Sequence, residues 1–127
     1  MSKLFFSFGS VLAFFAVAAG ALGGHVLKSR LSDYHLEIFE IASRYHMYHA
    51  IAVVICSWAT KNCSSPLAKL AGWLFIMGIV IFSGSLYLLS ITNYRWLGAI
   101  TPIGGTAFMF GWICLAISPW HKSAQAK

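Results

Sequence analysis

Four long apolar runs separated by short polar stretches organise this chain. Residues 4–26 contain no ionisable side chain before His25, and that length meets the ~20 residues a helix needs to cross a hydrocarbon layer. Gly9, Ala13, Ala16, Gly20 and Gly24 recur in it at helical spacing, a flat stripe of the kind that lets helices approach closely. The run ends in a polar segment carrying Lys28 and Arg30, and Ser32 then reads as an N-cap with Leu31 and Leu36 as a hydrophobic staple. From Asp33 there is no Gly or Pro until Pro66, so one helix is predicted to run to about Thr60.

The first part of that helix, 33–45, is amphipathic. Tyr34, Ile38, Ile41 and Tyr45 form one apolar line, and Asp33, Glu37, Glu40 and Arg44 form a charged one. The apolar stretch that follows, Met47 to Ala59, is too short to span alone, so the second span is drawn back to 41–60. The groups from Arg44 to His49 thereby fall at or inside the membrane boundary. Lys61 to Ser65 is a polar linker, and Ser65-Pro66 is a cap followed by a first-turn proline. A third span is expected over 66–91. Thr92 to Trp96 is a short connection, and Thr101-Pro102 repeats the cap-and-proline pattern. The fourth span, 98–118, is therefore expected to begin its regular part at Pro102, with the preceding residues forming an extra turn or a kinked entry. The fold class read from this pattern is an all-α membrane protein: four transmembrane helices in an antiparallel bundle, in one domain over 1–127.

Composition agrees. Of 127 residues, 59% are hydrophobic and only 9% charged, with a mean hydropathy of +0.76, too few polar side chains to cover a water-soluble globule. The net charge of +6 comes from Lys and Arg placed singly at the ends of apolar runs. No basic run tracks a phosphate backbone, and nucleic acid is not an expected partner. The partner expected is the lipid bilayer, with a homo-oligomer or a membrane-protein partner left open. Cys56, Cys63 and Cys114 have no short ligand spacing, so neither a disulfide framework nor a zinc site is indicated. The Ala19-Gly20-Ala21 step imitates a cleavage site, but its apolar run is longer than a signal h-region.

Chemistry, if the chain performs any, concentrates on one side of the membrane. Four spans place 25–45 and 92–101 together, which gathers His25, Glu40, Arg44, His49, Arg95 and Trp96, with Tyr45 and Tyr48 beside them. Ionisable groups at membrane depth are costly and mark function by default. The opposite side holds Lys3, Lys61, Lys69, Lys122 and Lys127 and no acid, which leans toward both termini being cytoplasmic. Within the hairpin of the first two spans, His25 is expected to meet His49 inside the bundle. Glu40 and Arg44 point elsewhere, toward a rim surface with Arg95 and Trp96 as candidate partners. Gly20, Gly24, Gly84, Gly98, Gly104 and Gly105 are expected at close helix contacts. Neither a metal site nor a cofactor is expected. Ser83-Gly84-Ser85 reads as helix packing rather than as a nucleophile, and the chain is not read as an enzyme.

The segments Gly20 to His25, Phe39-Glu40 with Arg44 to Ala50, Phe82 to Tyr87, and Arg95 to Gly105 resemble the domain-of-unknown-function 423 family of small bacterial inner-membrane proteins, with eukaryotic relatives in the transmembrane protein 256 group. The resemblance covers nearly the whole chain. It implies a four-helix multi-pass protein of the bacterial inner membrane, and assigns no activity. The family pattern includes His25, Glu40, Arg44, Tyr45, Tyr48, His49, Arg95 and Trp96. It more often has Gln where this chain has His46, and commonly Phe at Leu22, so a His46-x-x-His49 metal pair is not implied as a shared property. The residues themselves, apart from the resemblance, leave three functions: a structural or interaction role in the membrane, proton or small-ion transport through His25, Glu40 and His49, and a haem- or metal-binding module through His25 and His49.

Overall fold

The computed structural model describes residues 1–121, and every regular element among them is helical. Helix α1 covers Ser2–His25, α2 Asp33–Asn62, α3 Pro66–Gly78, α4 Gly84–Thr92 and α5 Leu97–Ile117. Ser32 caps α2 by accepting the His35 N–H at 3.3 Å, and Ser65 accepts the Leu67 N–H at 3.3 Å ahead of Pro66. Two expected helix starts are thus built as the sequence indicates. The Lys122 and Lys127 counted toward orientation lie outside the described residues.

The third run is continuous from Pro66 to Thr92, but its middle, Ile79–Ser83, is a π-helical segment joining α3 to α4. Single-turn π segments of this kind occur inside α-helices, often at functional sites. Here Ser85 Oγ donates to the Phe82 carbonyl at 2.9 Å and also lies 2.7 Å from Thr101 Oγ1. The fourth run, expected over 98–118, is one helix from Leu97 to Ile117 that passes through Pro102, so the residues before the proline form the extra helical turn rather than a separate entry. Proline early in a helix removes one backbone donor, and the Thr101 hydroxyl, 3.2 Å from the Leu97 carbonyl, adds a side-chain contact to that turn.

Helices Ser2–Ser29 (with its short 3-10 extension), Pro66–Thr92 and Leu97–Ile117 are long and apolar enough to cross a membrane. Helix α2 is less apolar but is the most enveloped, packing against α1, α3, α4 and the π segment. It buries Phe39, Ala42, His46, His49, Ala50, Ala52, Val53, Cys56, Ser57 and Ala59. Enclosure by neighbouring helices is what lets the polar members of that set lie in an apolar molecule. The buried line of its first half is Phe39, Ala42, His46 and His49, while the apolar line Tyr34, Ile38, Ile41 and Tyr45 is only partly covered, with Tyr34 and Tyr45 exposed.

Phenylalanine rings set against glycines join the helices. A Cβ at Gly23 would stand 3.0 Å from the Phe39 ring, one at Gly72 2.6 Å from Phe5, one at Gly78 2.4 Å from Phe108, and one at Gly111 2.7 Å from Phe75. At Gly104 it would meet the backbone nitrogen of Phe82 at 2.4 Å, and at Gly9 the Ala50 carbonyl at 2.9 Å. Of the expected packing glycines, Gly104 is therefore at a tight contact, while Gly98 and Gly105 meet only ordinary neighbours at 3.9 and 3.7 Å. Gly20, Gly24 and Gly84 meet nothing within 4 Å. These three correct the expectation: Gly20 and Gly24 are exposed, and Gly84, though half-buried, has no neighbouring helix close enough for a Cβ to touch. The contacts at Gly9 and Gly23 carry the α1–α2 seam instead.

Candidate functional site

The α1–α2 register decides whether His25 and His49 can meet. Gly23 sits against Phe39 and Gly9 against Ala50 and Val54, so His25 is level with about Glu37. At about 1.5 Å per residue, His49 lies roughly 18 Å further along the axis. His25 is exposed, and the expected His25–His49 contact is not formed. Hairpin proximity holds only for residues equidistant from the turn, and these two are not.

His49 instead faces α3 and α5. Its ring stacks on Phe108 with centroids 3.5 Å apart and planes 6° from parallel, and Phe75 and Trp112 approach at 5.6 and 6.0 Å. Nδ1 lies 2.7 Å from the Tyr45 carbonyl, and Nε2 lies 3.1 Å from Trp112 Nε1. A carbonyl can only accept and an indole N–H can only donate. Nδ1 therefore carries the proton and Nε2 accepts, so the geometry selects the neutral Nδ1–H tautomer and uses both ring nitrogens. Trp112 is itself exposed on the outer face, and His49 supplies the acceptor its N–H would otherwise lack in lipid.

Beside this ring, Tyr45, Tyr48, His49, Phe82, Gly105, Phe108, Met109 and Trp112 line a pocket of about 420 Å³. Tyr45 bridges its wall, 5.0 Å from Phe82 and 5.9 Å from Tyr48 between centroids. Tyr45 and Tyr48 thus join His49 at one place, as the sequence suggested. One turn earlier on α2, His46 turns to α4, with Nδ1 3.0 Å from the Tyr87 hydroxyl. His46 Nε2 and Ser83 Oγ are buried with no hydrogen-bond partner.

Glu40 and Arg44 are exposed on a different stripe of α2 and do not line the His49 pocket, which keeps the expected division of the helix into two surfaces. The rim is arranged differently from expectation. Arg95 lines a recess of about 500 Å³ with Tyr34, His35, Leu89, Asn93 and Gly98, without Glu40 or Arg44, and Trp96 projects outward, 62% exposed. His35 is the residue sequence reasoning missed. Its Nε2 lies 3.0 Å from Asn93 Oδ1 and its Nδ1 2.7 Å from Ser32 Oγ, tying the start of α2 to the α4–α5 connection. The signal in the sequence is its helical spacing, which puts it on nearly the same line as Ala42, His46 and His49. Among the described residues no three His, Cys, Asp or Glu side chains converge as a metal site.

The model of a protein family of unknown function, DUF423, matches residues 19–105, which include His25, α2, the π segment and the Arg95 turn. A UPF0382 membrane protein of Staphylococcus aureus (strain bovine RF122 / ET3-1) is 45% identical over 116 residues, 91% of this chain and 94% of its own. The UPF0382 membrane protein of Staphylococcus haemolyticus is 44% identical over the same shares. The UPF0382 membrane protein YwdK of Bacillus subtilis is 42% identical over 117 residues, 91% and 95% of the two chains. No solved structure matches the chain. With a family model covering most of its length and relatives aligned almost end to end, the chain belongs to the DUF423 family and is a membrane protein.

Proposed function

We propose that this protein is a four-span antiparallel bundle of the bacterial inner membrane with a structural or interaction role, and that the His49 cluster holds its helices together rather than carrying a reaction. The observation that supports this reading most is the use of both His49 ring nitrogens by protein partners, the Tyr45 carbonyl and the Trp112 indole. A relay group passes its proton to a partner that can itself take up or release one, which a backbone carbonyl and an indole N–H do not, and a metal ligand needs a free lone pair. The separation of His25 from His49 also removes the pair on which a transport path or a bis-histidine haem site was framed. The outward face of α1, with Phe6, Phe8, Val11, Phe14, Phe15 and Val17 exposed, offers an apolar surface to lipid or to another membrane helix.

In reconstituted vesicles, the protein and its His49→Ala variant are expected to pass protons no faster than empty liposomes. Flux above that background, lost in the variant, would reverse the reading. A photo-crosslinking side chain at Phe14 is expected to give a discrete protein adduct in native membranes, and adducts to lipid alone would count against an interaction role.

Helix α2 supplies the second span in this proposal, over its 41–60 part, and both termini face the cytoplasm. Cys63 lies half-buried in the linker after α2, while Cys56 is fully buried. A membrane-impermeant maleimide is accordingly expected to label Cys63 in inside-out vesicles and not in right-side-out ones. The opposite pattern would invert the orientation.

A further inference from the structure

The recess at the α2–α4–α5 corner lies outside the His49 cluster and has a chemistry of its own. Its lining is one cation, Arg95, a phenol, Tyr34, an imidazole, His35, the Asn93 amide, and a floor of Leu89 and Gly98. No carboxylate is among these residues; Asp33, Glu37 and Glu40 sit elsewhere on α2. Two of the polar members, His35 and Asn93, are held in place. Asn93 closes α4 in the left-handed conformation, φ 59°, which asparagine tolerates better than most residues. His35, anchored on Ser32, donates from Nε2 to Asn93 Oδ1, which leaves the Asn93 N–H groups as donors. The guanidinium, the phenol and the amide together form a donor set suited to phosphate oxygens. The volume, about 500 Å³, falls in the roughly 300–1,000 Å³ range of small-ligand sites.

The setting selects the kind of phosphate. The recess opens where two apolar spans, Pro66–Thr92 and Leu97–Ile117, meet end to end. Tyr94 and Trp96, which flank Arg95 in the sequence, are 59% and 62% exposed, aromatic side chains of the kind found where a helix leaves the hydrocarbon. A ligand seated here would have its anion beside Arg95 and its apolar part against the outer surface of α4. We propose that this recess binds the headgroup phosphate of an anionic phospholipid, with Arg95 as the charge partner, Tyr34 and Asn93 as neutral donors, and the acyl chains leaving past Leu89.

Native mass spectrometry of the full chain, released from mixed micelles of detergent with phosphatidylglycerol or phosphatidylcholine, tests this. The wild type is expected to retain one phosphatidylglycerol in preference to phosphatidylcholine. Removing a charge-assisted hydrogen bond in Arg95→Gln should lower that affinity about tenfold. Asn93→Asp, which places a carboxylate in the recess, should lower it as well. Arg44→Gln removes an exposed cation outside the recess and should change it less than about twofold. Soluble glycerol phosphate at the same concentration should not displace the lipid. Equal retention of the two lipids, equal loss in the Arg95 and Arg44 variants, or displacement by glycerol phosphate alone would each overturn the assignment. A thermal-unfolding midpoint matching wild type accompanies each variant, since Arg95 and Asn93 are both exposed.

Discussion

Substituting alanine for Gly104 is expected to destabilise the protein by about 1–3 kcal/mol or more, the cost of overpacking a close-packed interior. The added methyl would meet the backbone nitrogen of Phe82 at 2.4 Å and its Cα at 2.8 Å, and backbone in the π segment cannot swing aside as a side-chain tip can. Gly84, at the start of α4, supplies the matched control, because a Cβ there meets nothing within 4 Å. Gly84→Ala should be neutral or stabilising by up to about 1 kcal/mol, the helix-propensity difference between the two residues. Thermal or denaturant unfolding in detergent separates the two. Equal midpoints would mean that the π segment does not pack on α5 as described.

The second large effect is at the His49–Trp112 bond. Trp112→Phe keeps an aromatic ring against Phe75 but strips the N–H that His49 Nε2 accepts. Leaving a buried acceptor unpaired costs about 1–3 kcal/mol. Replacing both partners, His49→Phe with Trp112→Phe, removes the unmet acceptor together with its donor and keeps a ring to stack on Phe108. The double variant should therefore recover most of the loss, since removing both members of a hydrogen bond is often nearly neutral. A double variant as unstable as the sum of the single ones would show that the two side chains act independently.

These two sites show what could be read from the chain and what could not. Helix positions and their caps were legible at Ser32 and at Ser65-Pro66, because an N-cap hydroxyl and a first-turn proline act within one turn. The aromatic neighbours of His49 on α2, Tyr45 and Tyr48, followed from helical spacing alone. Its partners on other helices, Phe75, Phe108 and Trp112, did not, since periodicity describes one helix at a time. The same holds for the glycines. Gly104 and Gly20 look alike in sequence, yet one abuts Phe82 and the other faces open space, and only the pairing of each glycine with a phenylalanine of another helix tells them apart. Pro102 shows a related limit: the cap-and-proline pattern leaves open whether the residues before it form an extra turn or a kinked entry, and they form helix, beginning five residues earlier. His25 and His49 were paired on nearness to a common turn, whereas the Gly23–Phe39 register, a tertiary quantity, sets them turns apart.

The view of His49 as a packing centre rests on where its single proton sits, and nitrogen-15 spectroscopy of the selectively labelled imidazole at neutral pH, with the protein in lipid nanodiscs, reads that directly. The expected spectrum has the proton on Nδ1 and an Nε2 that accepts from the Trp112 indole, with the Nε2 resonance shifting when Trp112 is replaced by Phe. A proton on Nε2, or an Nε2 signal indifferent to Trp112→Phe, would contradict it.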